Sequence, residues 1–251
     1  MAERDYVVAS KVGEVSQLLY PDIHSAGGLV GLVRRWFESL DPEARVTGIS
    51  ATEENRWCAA SARVDVQDRF SQIHVADKQR LFLVDFWAHG VYLANGAFKQ
   101  HEIAAQAICC WTRERVGTKE LASRFPDLSI VPKAAAFEEG REVDEEWKSY
   151  LEKPRPGFDA IIRAAAAQPE LRMLFPFTSH LVLCFSRCTG YPYTDDCPMI
   201  APAGSGRYTV MLRNGTTSPA LAAADAVALV IANLPPGYGP AVRGTAGALR
   251  A

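Results

Sequence analysis

The strongest constraint on the fold is a succession of three strand-like segments separated by short polar turns. They run from Trp57 to Val66, from Phe70 to Ala76 and from Arg80 to Ala88. Between them stand the polar segments Gln67-Asp68-Arg69 and Asp77-Lys78-Gln79, each of which contains an Asp that favours a turn. Because connections this short join neighbouring antiparallel strands, the pattern predicts an antiparallel meander.

Helical patterns surround the meander and fill much of the second half. Apolar residues recur at helical spacing between Ser25 and Leu40, and between Lys99 and Val116. Further helices are expected at 118–126, 137–151, 158–168 and 222–233. Further strands are expected at 91–93, 179–187, 198–201 and 207–212. The mixture predicts an α+β protein with mainly antiparallel sheets flanked by helices.

A proline-rich segment suggests how the chain is divided. Lys153-Pro154-Arg155-Pro156-Gly157 cannot continue a helix. We therefore predict an N-terminal α+β half at 1–153, with the meander and its helices, and a C-terminal α+β half at 158–251. The two halves are compatible with one compact unit.

Composition excludes several classes of protein. With 251 residues and 48% hydrophobic content the chain can bury a large core, and its net charge of −2 gives no reason to attract nucleic acid. The apolar run at 222–234 is shorter than the roughly 18 residues of a membrane span. Met1 to Asp5 is charged and is followed by no long apolar region, so we expect a cytoplasmic protein with its six cysteines as thiols.

The segment that contains His180, Cys184, Cys188 and Cys197 carries residue types that can bind zinc or activate a serine. The geometry of a strand decides whether these side chains can lie close enough together. If His180 and Cys184 lie on one strand, four residues separate them by roughly 13 Å. Two ligands of one zinc ion must lie much closer. By the same rise, Ser186 stands too far from His180 to be activated. We expect no metal and no cofactor.

Two groups of residues remain as candidates for catalysis or binding. Asp85 interrupts an apolar face of the strand that ends at His89, so we expect an inward carboxyl whose pKa depends on its neighbours. Asp195 and Asp196 follow Tyr191 and Tyr193 in a loop beyond the later strand. Each group also has a structural explanation, since a buried Asp can fix a sheet and Asp residues cap turns.

Three segments resemble a known family when they are taken together: Leu83-Val84-Asp85-Phe86-Trp87, Leu171 to His180 and Leu234 to Ala241. They resemble an uncharacterised actinobacterial family whose members carry the label natural product biosynthesis protein. The resemblance covers most of the chain from about Val30 onward. It implies a cytoplasmic role in secondary metabolism and assigns no catalytic residue.

Two hypotheses follow. In the first, the protein is a cofactor-independent tailoring enzyme, whose acid–base candidates are Asp85, His89, His180, Asp195 and Asp196. Its substrate would contact Trp87, Phe175, Phe177, Arg187, Tyr191 and Tyr193. In the second, the protein is a binding or scaffold module for a precursor peptide or carrier protein, through a sheet edge or the acidic helix from Glu138 to Glu152.

The inward Asp85 and the acidic loop favour the enzyme slightly. The expected partners are a small-molecule or peptide intermediate and a carrier protein or another pathway enzyme, with no nucleic acid and no membrane.

Overall fold

A computed structural model describes residues 15–38, 44–50, 58–153 and 155–249. In these ranges it contains helices and two antiparallel sheets, one of six strands and one of four. The predicted α+β class is therefore confirmed.

The larger sheet is a meander in which each strand lies beside the next one in the chain. Its strands are β1 (Arg45–Gly48), β2 (Cys58–Val66), β3 (Arg69–Ala76), β4 (Phe82–Ala88), β5 (Val91–Phe98) and β6 (Leu128–Ile130). The three predicted strands are present as β2, β3 and β4, although Trp57 lies outside the described residues. The predicted short strand at 91–93 continues to Phe98.

The helices that accompany this sheet are α1 (Pro21–Ser25), α2 (Leu29–Phe37), α3 (His101–Thr112) and α4 (Thr118–Arg124). The single helix predicted from Ser25 to Leu40 is wrong at its start. Gly27 and Gly28 have φ values of 74° and 116°, which no right-handed helix allows, so they separate α1 from α2. Leu40 lies outside the described residues.

One face of the meander forms a core with α2 and α3. In β4 burial alternates, so that Phe82, Val84 and Phe86 are fully buried. The Phe86 ring contacts the ring of Trp111 on α3 in an edge-on arrangement at 6.0 Å. The opposite face, which carries every second residue of β4 starting at Leu83, therefore points away from α3.

The smaller sheet has the strand order β10-β9-β8-β7. Its strands are β7 (Phe175–Ser179), β8 (Val182–Ser186), β9 (Met199–Gly204) and β10 (Arg207–Met211). The helices in this part are α5 (Ala134–Glu138), α6 (Glu142–Glu152), α7 (Asp159–Ala166), α8 (Pro169–Arg172) and α9 (Ala223–Ala232). The helix predicted at 137–151 is broken at Gly140, where φ is 74°.

The strand predicted at 179–187 is wrong at its N-terminal end. Ser179 ends β7, and His180 and Leu181 form the turn before β8, with φ values of 46° and 63°. His180 and Cys184 therefore do not lie on one strand. The 13 Å separation that argued against a shared zinc ion was calculated for this incorrect strand and does not apply.

The chain divides into two compact units. The first comprises Met1–Ala88 and Tyr92–Ala134, and the second comprises His89–Val91 and Ala135–Ala251. The division falls near residue 134, so the proline-rich segment at 153–157 lies inside the second unit. The reason is that α6 contributes Trp147 and Tyr150 to the core of that unit. The predicted division into halves at 1–153 and 158–251 stays a prediction.

Candidate functional site

A row of polar side chains crosses the face of the meander that points away from α3. In the β2–β3 ladder Ser61 is paired with His74, and in the β3–β4 ladder Gln72 is paired with Asp85. Paired residues of an antiparallel ladder project to the same face, as do residues two apart on one strand. The two ladders therefore bring Ser61, His74 and Asp85 onto one surface.

His74 is the central contact of this row. Its Nδ1 lies 2.8 Å from the Ser61 hydroxyl oxygen, and its Nε2 lies 3.9 Å from an Asp85 carboxyl oxygen. The second distance is too long for a hydrogen bond. Burial lowers the pKa of His74, so the ring is neutral near pH 7. In the tautomer that carries its proton on Nε2, this proton faces the carboxyl, and Nδ1 can accept the hydrogen of the Ser61 hydroxyl.

The thiol of Cys58 extends the row on β2. Its sulfur lies 3.1 Å from the Ser61 hydroxyl oxygen and 3.9 Å from Nδ1 of His74. The register pairs Cys58 with Ala76, two residues beyond His74 on β3, so the thiol projects to the same face. A hydroxyl and a thiol thus stand on one side of the neutral imidazole.

The carboxyl of Asp85 has a pKa suited to proton transfer near neutral pH. Burial raises this pKa from 3.8 to about 6, and a hydrogen bond donated by the Tyr92 hydroxyl partly opposes the rise. The amide of Asn95 donates to the Tyr92 oxygen at 2.6 Å. The Asp85 side chain is 31% exposed, so the carboxyl is partly desolvated and still accessible.

An aromatic platform, defined as Phe70, Trp87 and Tyr92, adjoins the polar row. The ring of Trp87 stacks on Phe70 at 5.4 Å and lies 5.2 Å from Tyr92. The guanidinium of Arg63 covers Phe70 at 3.5 Å and pairs with Asp65. The surface therefore combines stacked rings with a proton-exchanging carboxyl.

The sequence analysis identified only part of this site. Asp85 and Trp87 were predicted, and both lie on this surface. Ser61, His74 and Tyr92 were missed. The alternation within the predicted strands limits each residue to one of two faces, but it does not show which residues lie opposite each other.

The predicted partner histidines of Asp85 belong to the other unit. His89 lies in the turn between β4 and β5 with φ of 51°, and its ring is 6.1 Å from that of Phe137. His180 is exposed, and its Nδ1 lies 3.1 Å from the Ser179 hydroxyl oxygen. The histidine that the first unit itself places near Asp85 is His74.

Four predicted aromatic residues come together in the second unit. The Tyr193 ring lies 5.5 Å from Phe175, 4.5 Å from Phe177 and 5.9 Å from Tyr191. Burial raises the pKa of Tyr193 to about 12, so its hydroxyl stays protonated at neutral pH. Trp87, which was grouped with these residues, belongs to the first unit.

The two adjacent carboxylates of the loop do not converge on a common point. Asp196 pairs with Arg187, whose Nε donates to it at 2.8 Å. Burial acts to raise the pKa of Asp196, but the hydrogen bond and charge of Arg187 outweigh it and the pKa is lowered. Asp195 is exposed and lies 3.6 Å from Arg213. Ion pairing accounts for both carboxylates and for Arg187.

Ser186 orders the same loop from a fully buried position. Its hydroxyl donates to the carbonyl of Cys188 at 2.7 Å and accepts from the backbone N–H of Cys188 and of Thr194. A hydroxyl engaged in this way fixes the backbone. All six cysteines are thiols. Within the described ranges, no group of three or more His, Cys, Asp or Glu side chains is arranged to hold a metal ion.

The sequence model of a family described as "Family of unknown function (DUF6193)" matches residues 141–245. These residues form a DUF6193 domain. The domain lies in the second unit and contains the aromatic cluster around Tyr193, whereas the polar row lies outside it. No curated protein and no solved structure matches the chain. Among the described helices, none has both the length and the apolar character to cross a membrane.

Proposed function

We propose that the protein is a cofactor-independent acid–base enzyme that acts on an intermediate of a natural-product pathway. The observation that carries the proposal is the Asp85 carboxyl, whose pKa of about 6 accompanies a partly exposed position beside the aromatic platform. A general base is most effective when its pKa lies near the working pH. At pH 7 most of this carboxyl is ionised and ready to accept a proton.

The neighbours of Asp85 have distinct roles in this proposal. The Tyr92 hydroxyl, held by Asn95, donates to the carboxylate and fixes its orientation. The neutral His74 places a ring nitrogen 3.9 Å away, close enough to respond to a change of charge on Asp85. Both are positioning residues, because they act through Asp85.

The aromatic platform indicates the shape of the substrate. Stacked rings favour a planar, unsaturated group lying against them. Asp85 would remove a proton from a carbon atom of such a group, and the carboxylic acid formed would return that proton to a second atom. The result is an isomerisation, or a dehydration when the second atom is the oxygen of a departing hydroxyl group. Neither reaction needs an oxidant or a reductant.

The pathway setting rests on the family resemblance, which includes the strand from Leu83 to Trp87. That strand carries Asp85 and one ring of the platform. The alternative proposal, a module that binds a precursor peptide or carrier protein, needs no proton transfer at Asp85. The two proposals therefore predict different results for Asp85→Asn: the enzyme proposal predicts loss of the product, and the binding-module proposal predicts that the product still forms.

The experiment is complementation of a gene deletion in the source organism, followed by mass spectrometry of its metabolites. We expect the wild-type gene to restore the product and Asp85→Asn to leave an accumulated precursor. The precursor should have the mass of the product or differ from it by one water molecule. Asp65→Asn, on the same face, is the matched control and should restore the product.

Two results would overturn the proposal. Full product formation by Asp85→Asn would exclude acid–base catalysis by Asp85 and would favour the alternative proposal of a binding module. A precursor that differs from the product by two hydrogen atoms would assign a redox reaction, which Asp85 cannot perform alone.

A further inference from the structure

A cavity of about 300 Å³ opens in the second unit beside the β7–β8 hairpin. It is lined by Arg155, Pro156, Phe158, Thr178, His180 and Leu181. The volume is at the lower end of the range for small-molecule sites. Three apolar side chains face three polar ones, a composition that can hold an apolar body and orient a polar group.

The cation of this cavity is Arg155. Its guanidinium lies 3.9 Å from the centroid of the Tyr150 ring. Its Nε is buried and has no hydrogen-bond partner among the described residues. The backbone N–H of Arg155, and not its guanidinium, donates to the Asp159 carboxylate at 3.1 Å. The aromatic ring orients the guanidinium without neutralising it, so the cation can pair with an anion.

The hairpin turn provides a second, independent observation. His180 and Leu181 both have positive φ, a conformation in which two-residue turns normally use Asn-Gly. A residue with a Cβ is strained there, and such strain persists mainly at functional sites. Leu181 is also 79% exposed, which is unfavourable for an apolar side chain. Both strained residues line the cavity.

The side chains of this turn are suited to a ligand. The contact between Ser179 and Nδ1 of His180 leaves Nε2 as the ring nitrogen available to a bound group. The hydroxyl of Thr178 accepts a hydrogen bond from Tyr150 at 3.2 Å, which ties β7 to the ring beneath Arg155. The imidazole and the guanidinium thus line one cavity.

We propose that this cavity binds a small organic carboxylate with an apolar body. The planar fork of Arg155 matches the two oxygens of a carboxylate, and His180 supplies a second donor. Phe158 and Leu181 contact the apolar body. Phosphate fits less well, because Arg155 is the one permanently charged side chain of the lining. The site lies in the DUF6193 domain and does not depend on the acid–base proposal.

The test measures binding of hexanoate and phenylacetate to the full-length protein by calorimetry and by amide NMR shifts. Hexanol, hexylamine and inorganic phosphate are the comparison ligands. We expect at least one of the two acids to bind at least about tenfold more tightly than hexanol, with shifts at the β7–β8 turn. Arg155→Gln should weaken that binding about tenfold, and Arg163→Gln, an exposed control on α7, should leave it unchanged.

A double substitution separates binding from folding. His180→Asn with Leu181→Gly gives the turn its preferred sequence, so circular dichroism and Tm should show a fold at least as stable as the wild type. Binding of the acid should fall at least about tenfold.

The proposal is overturned if both acids have a Kd above about 10 mM, if hexanol or phosphate binds as tightly, or if Arg155→Gln binds like the wild type. Undiminished binding by the double variant would likewise remove the turn from the site.

Discussion

Replacing Asp85 with asparagine should stabilise the protein at neutral pH. Burial raises the pKa of this carboxyl from 3.8 to about 6, a difference of about two pKa units. Each unit corresponds to about 1.4 kcal/mol, which gives about 3 kcal/mol. Because 31% of the side chain is exposed, solvent reduces this cost and we expect about 2 kcal/mol. Asparagine keeps an oxygen for the Tyr92 hydroxyl and carries no charge.

The sign of the pH dependence follows from proton counting. Between pH 3.8 and about 6 the folded protein holds a proton on Asp85 that the unfolded chain has released. The free energy of unfolding therefore falls as pH rises through this window. Below it both states are protonated and the cost disappears. Asp85→Asn removes this dependence, so its advantage over the wild type should appear between pH 4 and 6 and then remain constant.

Urea denaturation followed by circular dichroism at pH 4 and at pH 7 measures the effect. The matched control is Asp65→Asn, which loses the ion pair with Arg63 at 2.5 Å and should cost no more than about 1 kcal/mol. A difference between Asp85→Asn and the wild type that is the same at both pH values would refute the reasoning. So would a variant that is less stable than the wild type at pH 7.

Three further predictions concern the second unit. Gly190→Ala should cost at least about 2 kcal/mol, because a Cβ there would lie 1.8 Å from the carbonyl oxygen of His89. Thermal melts measure this loss, and in them the control Gly239→Ala, whose Cβ meets nothing within 4 Å, should change stability by less than about 0.5 kcal/mol. Trp147→Ala should cost about 3 to 5 kcal/mol in urea titrations, since the ring is fully buried and donates to the Leu174 carbonyl at 3.0 Å. The pKa of Tyr193 is about 12, so stability should fall between pH 10 and 12 in the wild type and less in Tyr193→Phe, as followed by tyrosinate absorbance and circular dichroism.

The meander could be predicted because apolar and polar residues alternate along its strands and because its turns are short. The polar row that crosses the meander could not be predicted. Which residues meet across two strands depends on the number of residues in the turn. The sequence suggested the three-residue turn Gln67-Asp68-Arg69, whereas Val66 pairs with Arg69 and only two residues turn. A shift of one residue pairs Ser61 with Val75 in place of His74 and moves the contact to the wrong face.

The β7–β8 hairpin was missed for a different reason. Its turn contains none of the residues that usually mark turns, so the segment from Ser179 onward resembled one continuous strand. β7 also contains Pro176, a residue that is unfavourable in a central strand but is tolerated in β7 because this strand is at the sheet edge. The binding cavity beside this turn therefore had no signal in the sequence pattern.

The three-strand origin of the polar row limits how the chain can change length during evolution. Loss of one residue inside β3, before His74, would carry the imidazole to the helix-packed side and leave Ser61 opposite a different residue. Residues added to the connection between Ala76 and Phe82 would leave both ladders intact. Insertions and deletions in homologous genes should therefore collect in that connection wherever the serine, histidine and aspartate are inherited together.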